Sequence, residues 1–154
     1  MPKIRVEGEG TAVPCCATAV ALEKFWLDAL PNKSGQKKVT AEMVANAESK
    51  FKGLAAKYEE LGNELGVRWD LAYFQTLLDT NLMIFNGSAK ADQFNFCALK
   101  GSGGLVSFRN LGDGVRACLE DLPGRALQGS QANVNAQSRD LLAKAKDFYD
   151  NHCN

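Results

Sequence analysis

Apolar residues recur at alternating steps of three and four between residues 40 and 65, the spacing that places side chains on one face of an α-helix. The stripe consists of Val44, Ala47, Phe51, Leu54, Tyr58, Leu61 and Leu65. Thr40 is suited to cap this helix and Glu42 to occupy its positive first turn, and Gly62 and Gly66 are placed to close it. The pattern predicts one amphipathic helix packed on a core. Its length, about three heptads, disfavours the alternative of a coiled-coil partner surface.

A second helix is predicted from about Arg68 to Phe85, and its nearly all-round apolar character is typical of a central, buried helix. Polar residues at helical spacing form one stripe along it: Gln75, Thr76 and Asp79, followed seven residues later by Asn86 just beyond its predicted end. In one interpretation Asp79 is an ordinary buried acid that a backbone group or basic side chain satisfies. In the other, the stripe faces a substrate cleft, and Asp79, partly desolvated, has a raised pKa and donates a proton to a leaving group.

The N-terminal third and the glycine-rich middle of the chain add shorter elements. The apolar run from Val13 to Leu30 is compatible with a helix that ends before Pro31, and residues 31–38 are predicted to form an exposed loop. Residues 94–99 form a possible short strand or extended segment, and the glycines within 101–104 predict a turn.

Two more helices are predicted towards the C-terminus. One covers about residues 110–122, capped at Asp113 and stopped by Pro123 and Gly124, and the other covers about residues 133–149. Together the patterns predict a mainly α fold with a small irregular or two-stranded β lobe.

Composition restricts the classes of protein. The chain has 154 residues, 18 basic and 18 acidic, and a formal charge of zero. This length suits one compact domain, and the balanced charge provides no attraction for nucleic acid or an anionic membrane. The longest apolar stretch, Leu71 to Phe85, is shorter than the ~20 residues of a bilayer span, so no membrane span is predicted. Two acids, Glu7 and Glu9, precede a weak apolar run at Ala12 to Leu22, where a signal peptide would have a basic start and a purer apolar core, so no signal peptide is predicted.

Cysteine and histidine usage argues against several kinds of site. The chain lacks a C-x-x-C pair, and its one histidine, His152, adjoins the C-terminus. Neither a zinc site nor a Ser/His or Cys/His nucleophilic site is predicted, and no metal or cofactor is expected. Disulfides stay open at this point. The possibilities are a bridge from the Cys15/Cys16 pair to Cys153, one from Cys97 to Cys118, and none.

Three segments contain an ordered set of residues: AYFQTLLDTNLMIFNG, then QFNFCALKGSGG, then SFRNLGDGVRACLEDL. This order resembles the glucosaminidase family of bacterial peptidoglycan hydrolases, lysozyme-like enzymes that include the flagellar rod hydrolase domain. The matching positions are Gln75, Asp79, Thr80, Phe85, Gly87, Gln93, Asn95, Phe96, Gly101, Gly103, Phe108, Gly114, Val115 and Arg116. The resemblance is dense over residues 66–122 and looser over 39–65. It leaves 1–38 as an N-terminal extension of a single domain, 1–154.

The resemblance implies a lysozyme-like domain that cleaves the peptidoglycan glycan strand beside N-acetylglucosamine, as an endo-β-N-acetylglucosaminidase does. Asp79 takes the place of the family's glutamate as general acid, and Asn81 replaces a glycine. The expected substrate-binding residues are Gln75, Asn86, Asn95 and Phe96. A side-chain amide can pair with an N-acetyl group, and an aromatic face can stack on a pyranose ring, although Phe96 suits the core equally well.

A second carboxylate is harder to assign. Asp92 and Asp113 are candidates, but a solvated loop acid and a helix cap are the favoured interpretations, and the substrate's own acetamido group can assist instead. Arg116 suits either a substrate carboxylate or, by preference, a surface ion pair.

The implied partner is the glycan strand of peptidoglycan, with a secretion, phage or tail-like assembly as a further partner. The expected location of the chain itself is the periplasm or cell exterior, reached by a non-classical route, or a virion-like particle. The alternative function is a catalytically weak or inactive lysozyme-like domain that binds glycan or serves as a structural component of such an assembly. Asp79 is one methylene shorter than glutamate, and a misplacement of about 1 Å costs on the order of a hundredfold in rate.

Overall fold

The structure, a computed structural model, describes residues 13, 15–127, 143 and 146–151. Within them the chain is mainly helical with a small two-stranded sheet, so the predicted fold class is confirmed. The elements are α1 (Ala19–Ala29), a 3₁₀ helix (Leu30–Lys33), α2 (Ala41–Phe51), α3 (Leu54–Leu65), α4 (Trp69–Asp79), a second 3₁₀ helix (Ala91–Gln93), β1 (Lys100–Gly101), β2 (Gly104–Leu105) and α5 (Leu111–Leu127). Residues 143 and 146–151 are also helical, whereas most of the helix predicted at 133–149 lies outside the described residues.

Helix α1 begins later than its apolar run. The Thr18 hydroxyl accepts a hydrogen bond from the Ala21 amide at 3.1 Å, so the helix begins after Thr18. The α-helix ends before Pro31, as predicted. Pro31 then lies in the first turn of a 3₁₀ helix, where its missing amide hydrogen costs nothing, so part of the predicted loop is helical.

The helix predicted over residues 40–65 is wrong in one respect, because two helices cover this range. Thr40 caps α2 as expected, accepting a hydrogen bond from the Met43 amide at 3.1 Å. The chain then breaks at Gly53, which has a φ of +91° and whose amide donates to the carboxylate of Glu23 on α1. Glycine adopts this left-handed conformation without steric cost and weakens a helix interior, so the break occurs there.

Helix α4 ends at Asp79, well before the predicted end. The Leu82 amide donates to the Leu77 carbonyl at 2.8 Å, and the Asn81 amide to the Leu78 carbonyl at 3.4 Å. These two bonds form the Schellman motif of a helix C-terminus, in which the residue at the position of Asn81 is left-handed. The sequence pattern missed this end because apolar residues resume at Leu82, directly after the Thr80-Asn81 step.

The segment after Asp79 is a left-handed turn. Asn81, Leu82 and Met83 have φ angles of +50°, +56° and +66°. Two buried hydrogen bonds hold the turn: the Trp26 indole N–H donates to the Leu82 carbonyl at 2.9 Å, and the Met83 amide donates to the Thr80 hydroxyl at 2.9 Å. Left-handed backbone is costly for residues with a Cβ, so these contacts stabilise a conformation that the local sequence disfavours.

The β lobe is a single hairpin among the described residues. β1 and β2 pair antiparallel across residues 102–103, so the predicted glycine turn is confirmed. The short strand or extended segment predicted at 94–99 is wrong: residues 94, 96 and 97 lie in turns, and Phe94 and Ala98 each have a φ of +53°, which prevents an extended run.

Helix α5 differs from the prediction at both ends. The Asn110 side-chain oxygen accepts a hydrogen bond from the Asp113 amide at 2.8 Å, so Asn110 is the cap and Asp113 lies in the first turn. The helix continues past Pro123 and Gly124, so the predicted stop is wrong. The fixed φ of proline is compatible with helical backbone, at the loss of one backbone hydrogen bond.

Two contacts fasten the lobe to α5. A Cβ built on Gly114 would lie 1.9 Å from the Phe94 carbonyl oxygen, so the close approach requires glycine. A disulfide joins Cys97 to Cys118, with 5.8 Å between their Cα atoms, which realises one of the two predicted pairings. Cys16 is also disulfide-bonded and Cys15 is a free, exposed thiol, whereas Cys153 lies outside the described residues.

Large aromatic side chains from several elements share one core. The largest fully buried ones are Trp26, Trp69, Tyr58, Tyr73, Phe51 and Phe96. Gly62 lies inside α3 rather than at its end, and a Cβ there would be 2.3 Å from the Cβ of Trp69, so it allows α3 to meet α4 closely. Gly66, with a φ of +66°, caps α3, which confirms half of the prediction for these two glycines.

Candidate functional site

Asp79 is the last residue of α4, and it is exposed. One turn earlier, half-buried Gln75 donates its side-chain amide to Asp79 Oδ1 at 3.2 Å, so the structure brings these two predicted site residues together. The expected desolvation of Asp79 is wrong, and so is the interpretation of it as a buried acid, because the chain turns away at the helix end instead of covering it. An exposed carboxyl can exchange a proton with a bound ligand.

Thr76 lies beneath this carboxyl rather than on the same face. It is buried, and its hydroxyl shares a hydrogen bond with the hydroxyl of Tyr58 on α3. The Thr80 hydroxyl donates to the Thr76 carbonyl at 2.8 Å, which competes with continuation of the helix. Burial raises the pKa of Tyr58 far above its usual value, and the nearby charge of Asp79 raises it further. A neutral, buried hydroxyl pair therefore supports the end of α4.

Asn86 reaches the end of α4 by a route that the pattern did not predict. The helix stops at Asp79, so Asn86 does not continue the α4 stripe. The left-handed turn instead brings it back, and its Oδ1 accepts a hydrogen bond from Asn81 Nδ2 at 3.1 Å. Both amides are half-buried. Gln75, Asp79, Asn81 and Asn86 thus form two hydrogen-bonded pairs, defined here as the helix-end cluster.

Asn95 has a structural role at the base of the hairpin. Its side chain is 0% exposed, donates to the Leu99 and Val106 carbonyls at 2.9 Å each, and accepts from the Leu99 amide at 2.9 Å. The predicted contact with a sugar is not supported, because the backbone already uses these polar atoms and no surface is left for a ligand.

Phe96 belongs to the core, which is the alternative that the sequence left open. It is 0% exposed, and its ring centroid lies 5.7 Å from that of Phe51 and 6.2 Å from that of Phe85. A sugar cannot stack on a face that other rings cover, so the structure does not support the predicted binding role.

The other charged candidates have ordinary surface roles. Asp92 is exposed in the second 3₁₀ helix, and Asp113 accepts hydrogen bonds from Arg109 at 3.2 Å and from Asn110. Arg116 pairs with Glu64 of α3 at 3.1 Å, the surface ion pair that its position on a helix favours. Such exposed pairs contribute little to stability.

Sequence reasoning missed a buried charge cluster at the other end of α4. Arg68 binds Asp70 through two hydrogen bonds of 2.8 and 2.6 Å, and the Tyr149 hydroxyl donates to the same carboxylate at 2.7 Å. The hydrogen bond to Asp70 raises the pKa of Arg68, whereas burial followed by the Asp70 charge raises the pKa of Tyr149. The signal in the sequence that could have indicated this cluster was Asp70, an acidic residue in the first turn of α4. The cluster anchors α4 at the end remote from Asp79.

The described residues offer neither a cluster of metal ligands nor a membrane-spanning helix. They contain no group of three His, Cys, Asp or Glu side chains that could hold a metal ion. None of their helices combines the length and apolar character that crossing a membrane requires.

Comparison with known proteins adds one distant relative. No family model matches the chain, and no solved structure matches it. An uncharacterized protein of Borreliella burgdorferi is 33% identical over 78 residues, which is 49% of this chain. The match spans 37% of the length of that protein.

Proposed function

We propose that the chain is a peptidoglycan hydrolase of the glucosaminidase type, which cleaves the glycan strand next to N-acetylglucosamine with Asp79 as general acid. The observation that carries the proposal is the end of α4, where an exposed carboxyl is followed by a left-handed residue, Asn81, with a φ of +50°. The resembled family has glycine at that position, and glycine and asparagine are the residues that tolerate this conformation. The agreement of residue pattern with backbone supports the resemblance.

In the proposed reaction, protonated Asp79 donates its proton to the glycosidic oxygen, and the bond from that oxygen to the anomeric carbon breaks. The acetamido oxygen of the substrate attacks the anomeric carbon as the leaving sugar departs. Water then opens the resulting ring and returns a proton to the Asp79 carboxylate.

The test uses purified sacculi and distinguishes the effect of neutralising Asp79 from the effect of neutralising another exposed carboxylate. We expect the wild-type protein to release muropeptides with N-acetylglucosamine at the reducing end, and Asp79→Asn to release none while its circular dichroism spectrum is unchanged. Asp92→Asn is the matched control, since it neutralises another exposed carboxylate and leaves release intact. Asp79→Glu restores the family's chain length and increases release. Wild-type release that persists in Asp79→Asn contradicts the assignment.

A second candidate function is glycan binding without turnover, alone or within a secretion, phage or tail-like assembly. The shorter side chain of Asp79 favours it, since a carboxyl displaced by about 1 Å loses on the order of a hundredfold in rate. Cosedimentation with sacculi distinguishes the two. Binding by both wild type and Asp79→Glu, with no muropeptide from either, supports the binding domain. Both functions place the chain at peptidoglycan, in the periplasm or outside the cell.

A further inference from the structure

The chain contains a single Asn-Gly step, Asn86-Gly87, and it lies in the bend beside the helix-end cluster. Gly87 and Ser88 are exposed, and no heavy atom beyond residues 86–88 lies within 4 Å of the place that a Gly87 Cβ would occupy. Regular hydrogen bonding usually protects asparagine by holding the next amide away from its side chain. Residues 86–89 lie outside every helix and strand of the described structure, so this protection is missing.

We propose that Asn86 is a site of spontaneous deamidation, a modification in which the protein acts on itself. The Gly87 nitrogen attacks Cγ of Asn86 and forms a bond to it. The bond from Cγ to Nδ2 then breaks, and ammonia leaves with the proton from the Gly87 amide. Water opens the resulting succinimide at either carbonyl, which yields aspartate or isoaspartate at position 86. Water is the only co-reactant, and no atom changes its oxidation state.

The contact with Asn81 accelerates this reaction. Attack on Cγ moves negative charge onto Oδ1 of Asn86, and that oxygen already accepts a hydrogen bond from Asn81 Nδ2 at 3.1 Å. A donor that is in place before the charge develops stabilises the tetrahedral intermediate, as in an oxyanion hole. Gly87 contributes the second condition, because its backbone has the conformational freedom that ring closure needs.

The product changes the helix-end cluster. The formal charge of the chain moves from zero to one negative, and the new carboxylate replaces the partner of Asn81, which is two residues beyond exposed Asp79. Isoaspartate also lengthens the backbone by one methylene at the point where the chain leaves the left-handed turn. Deamidation of Asn86 does not depend on hydrolase activity, since the reaction needs no substrate.

The experiment follows the purified protein during incubation at mildly alkaline pH. Ion exchange separates the more acidic form, and peptide mapping by mass spectrometry locates the converted residue. Exposed Asn32 and Asn46, each followed by a residue with a side chain, are references within the same sample. We expect Asn86 to convert first and to yield both aspartate and isoaspartate.

Two variants test the two structural conditions. Gly87→Ala fits the open space at that position and slows conversion by about tenfold, because the Cβ restricts the backbone. Asn81→Gly suits the φ of +50° and removes the donor, which slows conversion by about fivefold, the rate equivalent of one hydrogen bond. Conversion of Asn86 no faster than Asn32 overturns the site. An unchanged or faster rate in Asn81→Gly overturns the role of Asn81.

Discussion

Replacing Asn95 with alanine tests whether this residue holds the β lobe or binds a ligand. The side chain makes three hydrogen bonds of 2.9 Å to backbone groups of Leu99 and Val106, and it is 0% exposed. Truncation leaves one amide and two carbonyls without their partner. At about 1 kcal/mol for each hydrogen bond, the free energy of unfolding falls by about 3 kcal/mol. For a chain of this length that corresponds to a melting temperature lower by about 6–12 °C.

Urea and thermal denaturation followed by circular dichroism measure this loss. Asn46→Ala is the matched control, because Asn46 is exposed on α2 and its loss changes stability by no more than about 0.5 kcal/mol. Asn95→Asp sharpens the test. This variant keeps an acceptor for the Leu99 amide but places an oxygen opposite the Leu99 and Val106 carbonyls. We therefore expect it to lower the free energy of unfolding more than Asn95→Ala does at neutral pH, and less than Asn95→Ala does in acid. Equal stability of Asn95→Ala and Asn46→Ala, together with lost glycan binding, would refute the structural role.

Three further predictions concern the fold. Lys38→Gly raises the urea midpoint by an amount equivalent to about 0.5–1 kcal/mol, because exposed Lys38 has a φ of +65°. Replacing Cys97 and Cys118 together with alanine lowers the free energy of unfolding by about 3 kcal/mol, the loop-closure contribution for a separation of 21 residues. Burial raises the pKa of Tyr58, so the unfolded chain loses this proton near pH 10 while the folded protein keeps it. The Tyr58 contribution to stability is therefore complete below about pH 10 and declines by about 1.4 kcal/mol per pH unit above it, a decline that urea midpoints detect and that Tyr58→Phe removes.

Each of these three changes has its own control. Lys37→Gly places glycine at the preceding exposed residue, which lacks a positive φ, and it brings no gain; an equal gain from both variants contradicts the argument from backbone strain. Cys15→Ser removes a free, exposed thiol and leaves the melting temperature unchanged. For Tyr58→Phe, the control is the pH dependence of the free energy of unfolding near neutral pH, where the curves of wild type and variant are parallel. A wild-type stability curve that declines above pH 10 no more steeply than that of Tyr58→Phe contradicts the assigned burial of Tyr58.

How far the sequence predicted the candidate site is clearest at α4. Its central, buried character and the proximity of Gln75 to Asp79 follow from helical spacing alone. The position of its end does not, because Leu82 and Met83 are as apolar as the residues before them. The available signal was the Thr80-Asn81 step, since asparagine is favoured just beyond a helix C-terminus. Asn86 was assigned to the α4 stripe, but it lies beyond the helix end and pairs with Asn81 instead.

Asn95 and Phe96 illustrate the opposite limit. An amide next to an aromatic residue describes a sugar site and a buried corner equally well, so residue chemistry could not decide between them. Contacts with Val106 and with Phe51 did, and both partners are distant in the chain.

The sequence by itself determined the fold class, the cap at Thr40, the left-handed Gly66 and the glycine turn of the hairpin, because each depends on the periodicity or conformational preference of neighbouring residues. Tertiary structure decided where α4 ends, which carboxyl is exposed and which polar side chains are used up by the backbone. The Trp26 indole holds a turn centred on Leu82, and Glu23 receives the amide at the Gly53 break. Such contacts join residues far apart in the chain, and local patterns hold no information about which distant groups will meet.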